Sequence, residues 1–176
     1  MKDVESYHRT AEAMADAVSD WTPPLSTSAV GAQASQPASG LDAEQPPTRR
    51  EALAWFREEW QRLADLAAAH TQRGDYAEAA RAAHVLLPYL LATHSWDATV
   101  AVTTAGAEAA HRVNDLNRLT TLLQARGIAL QQLGTDDLAQ ASFEEVLAVA
   151  LSDDQQVARA RAIAHLAQPG STDVVW

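Results

Sequence analysis

Apolar residues recur at intervals of three and four along most of the chain, the spacing that lays one face of an α-helix against a core. In residues 3–20 the stripe is Val4, Tyr7, Ala11, Met14 and Val18, and Pro23-Pro24 end it after Trp21. A second stripe (Leu53, Phe56, Trp60, Leu63, Leu66, Ala67) follows Thr48, which has Glu51 three residues later, and this capping-box pattern predicts a helix from 48 to about 72. Breaks then recur at Gly74-Asp75, His94-Ser95, Asn114-Asp115, Gly134-Thr135 and Asp153-Asp154. The first, third and fifth stand 40 and 39 residues apart. The helices between breaks span about 18 residues, roughly 27 Å at 1.5 Å per residue.

A fixed period of two helices signals stacked hairpins, each burying its apolar face only against its neighbours. The predicted fold is therefore all-α, an α-solenoid of antiparallel helical hairpins. Two full hairpins, 76–113 and 116–151, lie between the helix at 48–72 and a last helix at about 155–167 that stops at Pro169-Gly170. Residues 22–47 break the pattern, with five of the seven prolines and two of the seven glycines. Such a Pro/Ser/Ala-rich stretch buries too little apolar surface to offset the entropy of ordering and reads as a disordered linker. The expected organisation is an N-terminal helix at 1–21, the linker at 22–47, a helical domain at 48–168 and a tail at 169–176. The first helix is then tethered to the main body rather than continuous with it.

Composition narrows the chemistry. Of 176 residues 38 are alanine, so the core is built from small side chains and close helix packing. With no cysteine there is no disulfide, thiolate ligand or cysteine nucleophile. The formal charge of −10, from 13 basic and 23 acidic residues, repels phosphate backbones and anionic membranes, so neither nucleic acid nor membrane is an expected partner. No apolar run reaches membrane-span length, the start lacks signal-peptide character, and the cytoplasm is the predicted compartment.

The six histidines (His8, His70, His84, His94, His111, His165) form no i, i+4 pair, so they read as solvent-facing or groove residues, with no metal and no other cofactor expected. Acids adjacent in sequence, such as Glu58-Glu59 and Asp153-Asp154, do not converge on one substrate atom. There is no G-x-S-x-G either, and the chain is not expected to be an enzyme.

Gly127, Leu130, Gly134, Ala139 and Phe143 stand at the spacing of the tetratricopeptide repeat, with departures at Arg126 and Val146. Upstream, Ala52, Leu53, Ala54, Trp55, Glu59, Leu63, Gly74, Tyr76, Glu78, Ala79, Pro88, Tyr89 and Trp96 resemble the start of the tetratricopeptide region of actinobacterial signal-transducing NTPases and antibiotic regulatory proteins. The segment SYHRTAEAMADAVSDWTPPL is similar to the helix that joins the ATPase core to the repeats in that family. The core's GxxxxGK[ST] loop is missing, so the resemblance covers the sensor or partner-binding portion alone.

The resemblance implies a tetratricopeptide-like solenoid with a concave groove lined by Ala82, Val85, Tyr89 and Ala92 of the first hairpin and Thr121, Gln124, Ile128, Gln131 and Gln132 of the second. Val85, Tyr89, Thr121, Gln124, Ile128, Gln131 and Gln132 are the expected partner-binding set. The implied function is non-catalytic, regulatory binding of a protein or peptide; the alternative is a small-molecule sensor using the same groove. Trp55 and Trp60, five apart, point to different faces, one into the core and the other toward a partner or the first helix. The last helix lacks a following partner, so Val157, Ala160, Ile163 and Leu166 are expected to pack on the preceding hairpin or on a second copy in a homodimer.

Overall fold

Helices begin every 20 residues, and that interval sets the architecture. The computed structural model describes residues 4–19, 47–152 and 156–167. Among them are helices α1 (Val4–Val18), α2 (Arg49–Arg73), α3 (Tyr76–Ala92), α4 (Trp96–Arg112), α5 (Leu116–Gln132), α6 (Asp136–Ser152) and α7 (Gln156–Leu166), and no strand. From α3 to α6 each helix has 17 residues, and starts fall at 76, 96, 116, 136 and 156. The linker expected at 22–47, apart from Pro47, lies outside the described residues, as do the break at Asp153-Asp154 and the tail at 169–176.

The turns share one chemistry. Gly74, His94, Asn114 and Gly134 take left-handed backbone, with φ of 80°, 53°, 56° and 73°. Each following residue (Asp75, Ser95, Asp115, Thr135) donates its N–H to the carbonyl five residues back (His70, Leu90, Ala110, Leu130) at 2.9–3.0 Å. This closure satisfies carbonyls that a helix end leaves orphaned. The capping box at the start of α2 also forms: Glu51 N–H donates to the Thr48 hydroxyl and Thr48 N–H to the Glu51 carboxylate at 2.8 Å.

Turns this short send the chain straight back, so successive helices run antiparallel. Each packs on the next, and the odd-numbered helices also touch in order: α1 on α3, α3 on α5, α5 on α7. The odd-numbered helices thus form a row, α1-α3-α5-α7, while among the even-numbered ones α2 touches α4. One core cluster runs through α3 to α7 around Leu119, Leu122, Leu123, Phe143 and Val146. Here Gly127 lets α5 lie against α6, since a Cβ on it would sit 2.5 Å from the Phe143 ring. The second cluster joins Ala11, Ala15 and Val18 of α1 to Ala52, Phe56 and Leu63 of α2 and to Val85, Leu86, Tyr89 and Leu90 of α3.

Helix α1 thus takes the first place in the odd row instead of standing apart from the body. Arg81 on α3 donates to both Glu12 carboxylate oxygens, at 2.7 and 2.9 Å, and the Tyr7 hydroxyl donates to Glu59 at 2.7 Å. Trp55 and Trp60 both pack half-buried on the N-terminal cluster, and Trp55 meets the Tyr7 ring at 5.9 Å. The expectation of solvent-facing or groove histidines fails for His8 and His70, which are buried with ring centroids 5.9 Å apart. Their contact depends on how α1 docks across a long stretch of sequence, which helical spacing alone does not encode.

The last helix is also rotated from expectation. Ala162 is fully buried and Ala158 and Leu166 partly so, while Ala160 and Ile163 are exposed; the Val157 side chain lies outside the described residues. Its orientation follows the stack of His165 on Phe143, at 4.7 Å and 4°. No helix among the described residues is long and apolar enough to cross a membrane.

Candidate binding groove

Helix α3 is apolar on nearly every side, so it has one face for the N-terminal core and another to spare. The spare face carries His84, Leu87, Pro88 and Leu91, and α5 presents Thr121, Gln124, Ala125 and Ile128. Both sets follow the same i, i+3, i+4, i+7 spacing, which gives each helix one continuous stripe. The two stripes line a partly open cavity of about 370 Å³. Val18 and Ser19 at the end of α1, Arg49 at the start of α2, Ala92 and His94 at the end of α3, and Arg161 of α7 complete its wall. The cavity therefore belongs to the odd row.

Several local features shape this wall. Pro88 has no N–H, so the His84 carbonyl lacks the donor that an ordinary α-helix would supply four residues later. The left-handed backbone at His94 turns its ring onto Trp96, with centroids 5.1 Å apart. Burial pushes the His84 imidazole below its usual range, and the nearby Arg118 adds to that, against the opposing pull of Asp115. His84 is accordingly neutral at neutral pH. Gln124 is only 8% exposed, and its amide makes no hydrogen bond among the described residues. Arg49 and Arg161 are the charged residues of the lining, and no carboxylate is among the described residues that form it.

Of the sequence-predicted groove residues, Thr121, Gln124 and Ile128 line the cavity, together with Ala92. Val85 and Tyr89 do not: both are buried in the N-terminal cluster, where Tyr89 stacks on Phe56 with centroids 5.4 Å apart. The physical reason is a rotation of about 100°, one residue, in the outward face of α3. Ala82 is likewise buried, and Gln131 and Gln132 are half-exposed at the end of α5, outside the lining. Sequence reasoning missed His84, Leu87, Pro88 and Leu91; only the internal proline marked that face, since apolar residues surround α3. Arg49, Val18 and Arg161 reach the site from distant helices and left no local signal.

A second recess, of about 200 Å³ between α2, α3 and α4, is walled almost wholly by alanines, and its Thr71 hydroxyl is spent on the Ala67 carbonyl. It offers shape without chemistry. No group of three or more histidine, aspartate or glutamate side chains suited to a metal ion occurs among the described residues. Comparison of the chain with protein-family models, with curated proteins and with solved structures finds no match.

Proposed function

We propose that this chain is a non-catalytic, regulatory binding module, a tetratricopeptide-like α-solenoid that takes a protein segment or peptide on the face formed by its odd-numbered helices. The observation that carries this reading is the pair of matched stripes on α3 and α5 bordering an open, mainly apolar cavity. Such surfaces recognise extended or helical peptides by placing side chains into successive recesses. The 40-residue unit is longer than the roughly 34 residues of the tetratricopeptide repeat. The likeness therefore rests on the packing logic of Gly127 against Phe143 more than on length.

Selection of binders from a random peptide library on the full chain tests the reading. The selected peptides are expected to lose at least about tenfold in affinity against Leu91→Arg, and to keep it against Leu138→Arg on the exposed side of α6. Equal binding to both variants would count against the groove.

The cavity volume favours a second reading, a small-molecule sensor: about 370 Å³ lies within the 300–1,000 Å³ common for small-ligand sites. A thermal-shift screen with metabolite mixtures checks it, and stabilisation that survives Ile128→Trp would argue against the cavity as the site.

A further inference from the structure

Three buried side-chain nitrogen atoms among the described residues have no hydrogen-bond partner, and all three sit where α1 docks: both ring nitrogens of His8 and Nε2 of His70. His8 on α1 and His70 on α2 are each more than nine-tenths buried, and their rings meet edge to face. A guanidinium only donates, so His70 Nδ1, 3.1 Å from Arg73, accepts, and the neutral ring carries its proton on the unpaired Nε2.

The charged and titratable groups around His8 come from every element that packs on it. From α2 there is His70, with Arg73 and then Asp75 of the following turn on its far nitrogen. From α3 there are Glu78 and Arg81, and from α1 itself Glu12 and, through Arg81, Glu5. The Glu78 carboxylate lies 3.9 Å from His8 Nε2, beyond hydrogen-bond reach, and 3.6 Å from Arg81. Arg81 is itself engaged by both oxygens of Glu12. A proton added to His8 in this place makes a buried cation with two N–H donors and no acceptor, which disfavours the docked helix.

We infer that α1 is an acid-released cover: protonation of His8 frees it from α2 and α3 and exposes the apolar surface beneath. Burial holds the docked imidazole below its usual range against the pull of Glu78, with Arg81 and His70 adding to the depression. Once α1 is off, His8 stands in water and titrates near its ordinary value of about 6.5, so the free form takes up the proton first. Docking therefore holds above about pH 6.5 and weakens by up to about tenfold for each unit below it. A helix of 15 residues is marginal by itself, and residues 19–48 separate it from α2, which need not move when it leaves. Its departure uncovers Phe56 and Leu63 of α2 and Val85 and Tyr89 of α3, which share a core with Ala11, Ala15 and Val18. It also takes Val18 and Ser19 out of the cavity wall, although the release itself does not depend on what the groove binds.

Amide hydrogen exchange of the full chain, expressed as protection factors so that the intrinsic pH dependence of exchange drops out, tests it. Amides in residues 4–18 are expected to be less protected than those of α5 and to respond more weakly to low urea, the mark of a local opening. Their protection should fall about tenfold from pH 7.5 to 5.5. In His8→Leu, and in His8→Phe, which keeps the shape of the ring, the fall should shrink below about threefold while protection at pH 7.5 holds. An equal fall in wild type and both variants, no fall at all, or protection and urea response in α1 that match those of α5 would overturn the inference. So would loss of α1 protection at pH 7.5 in both variants, because a neutral imidazole without a partner holds the helix no better than an apolar side chain does.

Discussion

The two sides of α3 are made from the same kinds of side chain and have opposite fates. On one side Val85, Leu86, Tyr89 and Leu90 are sealed under α1 and α2, with Phe56 stacked on Tyr89. On the other, Leu87, Pro88 and Leu91 border a cavity. The difference lies in what the neighbouring helices bring. Helix α1 supplies Glu12 to Arg81 on α3 and places apolar Ala11, Ala15 and Val18 on the core, so charge is paired and volume is filled. The α5 and α7 side supplies a glutamine, a threonine and an arginine, and leaves the volume open. Hydrophobicity alone therefore does not separate core from site; how fully the facing helices fill the volume does.

The largest expected effect breaks the sealed side. Phe56→Ala should cost about 3–5 kcal/mol of unfolding free energy, from lost burial plus the cavity left under Tyr89. Leu91→Ala, on the open side, should cost less than about 1 kcal/mol, because its neighbourhood is already partly solvent-filled. Urea denaturation of the two variants measures this contrast. Similar costs would mean the cavity side is as tightly packed as the core.

Next comes the α5–α6 contact. Gly127→Ala puts a methyl group where the Phe143 ring stands 2.5 Å away, and should cost about 1–3 kcal/mol. Phe143→Leu in the same chain should recover part of that loss, a coupling that a double-mutant cycle reads directly. Additive costs would mean that the helices simply move apart.

Smaller again is the clamp on α1. Arg81 is mostly buried and reaches Glu12 at 2.7 Å, with Glu5 and Glu78 at 3.7 and 3.6 Å. Arg81→Met should weaken docking of α1 by about 1–2 kcal/mol, seen as faster proteolysis within residues 4–19 and not at α5. Unchanged cleavage there would show that apolar contacts alone hold the helix.

Much of this fold was legible because its signals are local. The break dipeptides combine a residue that tolerates left-handed backbone with a helix-starting residue, so spacing alone located the helices to within a few residues of their ends. The capping box at Thr48 is local in the same way. What was not legible depends on the third dimension. Nothing in the spacing of α3 says which of its apolar faces α1 and α2 will cover, and the groove-facing stripe was placed one residue out of register for that reason. The burial of His8 against His70 required residues 62 positions apart to meet. The ring stack of His165 on Phe143, which sets the rotation of α7, is likewise a tertiary event. In the groove the polar set on α5 was readable, whereas Arg49 and Arg161 enter from other helices.

The smallest expected effect separates the sealed side from the open one by pH. His8 is 1% exposed, neither ring nitrogen has a hydrogen-bond partner among the described residues, and the Glu78 carboxylate at 3.9 Å is too distant to supply one. Burial is the main cause holding this imidazole below its usual range. Glu78 and Glu12 pull the other way, while Arg81 and His70 add to the depression. A lowered folded-state pKa means the unfolded chain takes up the proton first, so stability present above about pH 6.5 is lost as pH falls. His84 and His165, lowered chiefly by burial, contribute with the same sign. The wild-type chain should therefore lose stability from pH 7.5 to 5.5 in denaturant titrations. His8→Leu should hold its stability at pH 7.5, since no hydrogen bond is forfeited, and should lose about 1 kcal/mol less on acidification. An identical pH slope in wild type and variant would mean that α1 leaves the body before His8 titrates, and that the seal over α3 is looser than its packing indicates.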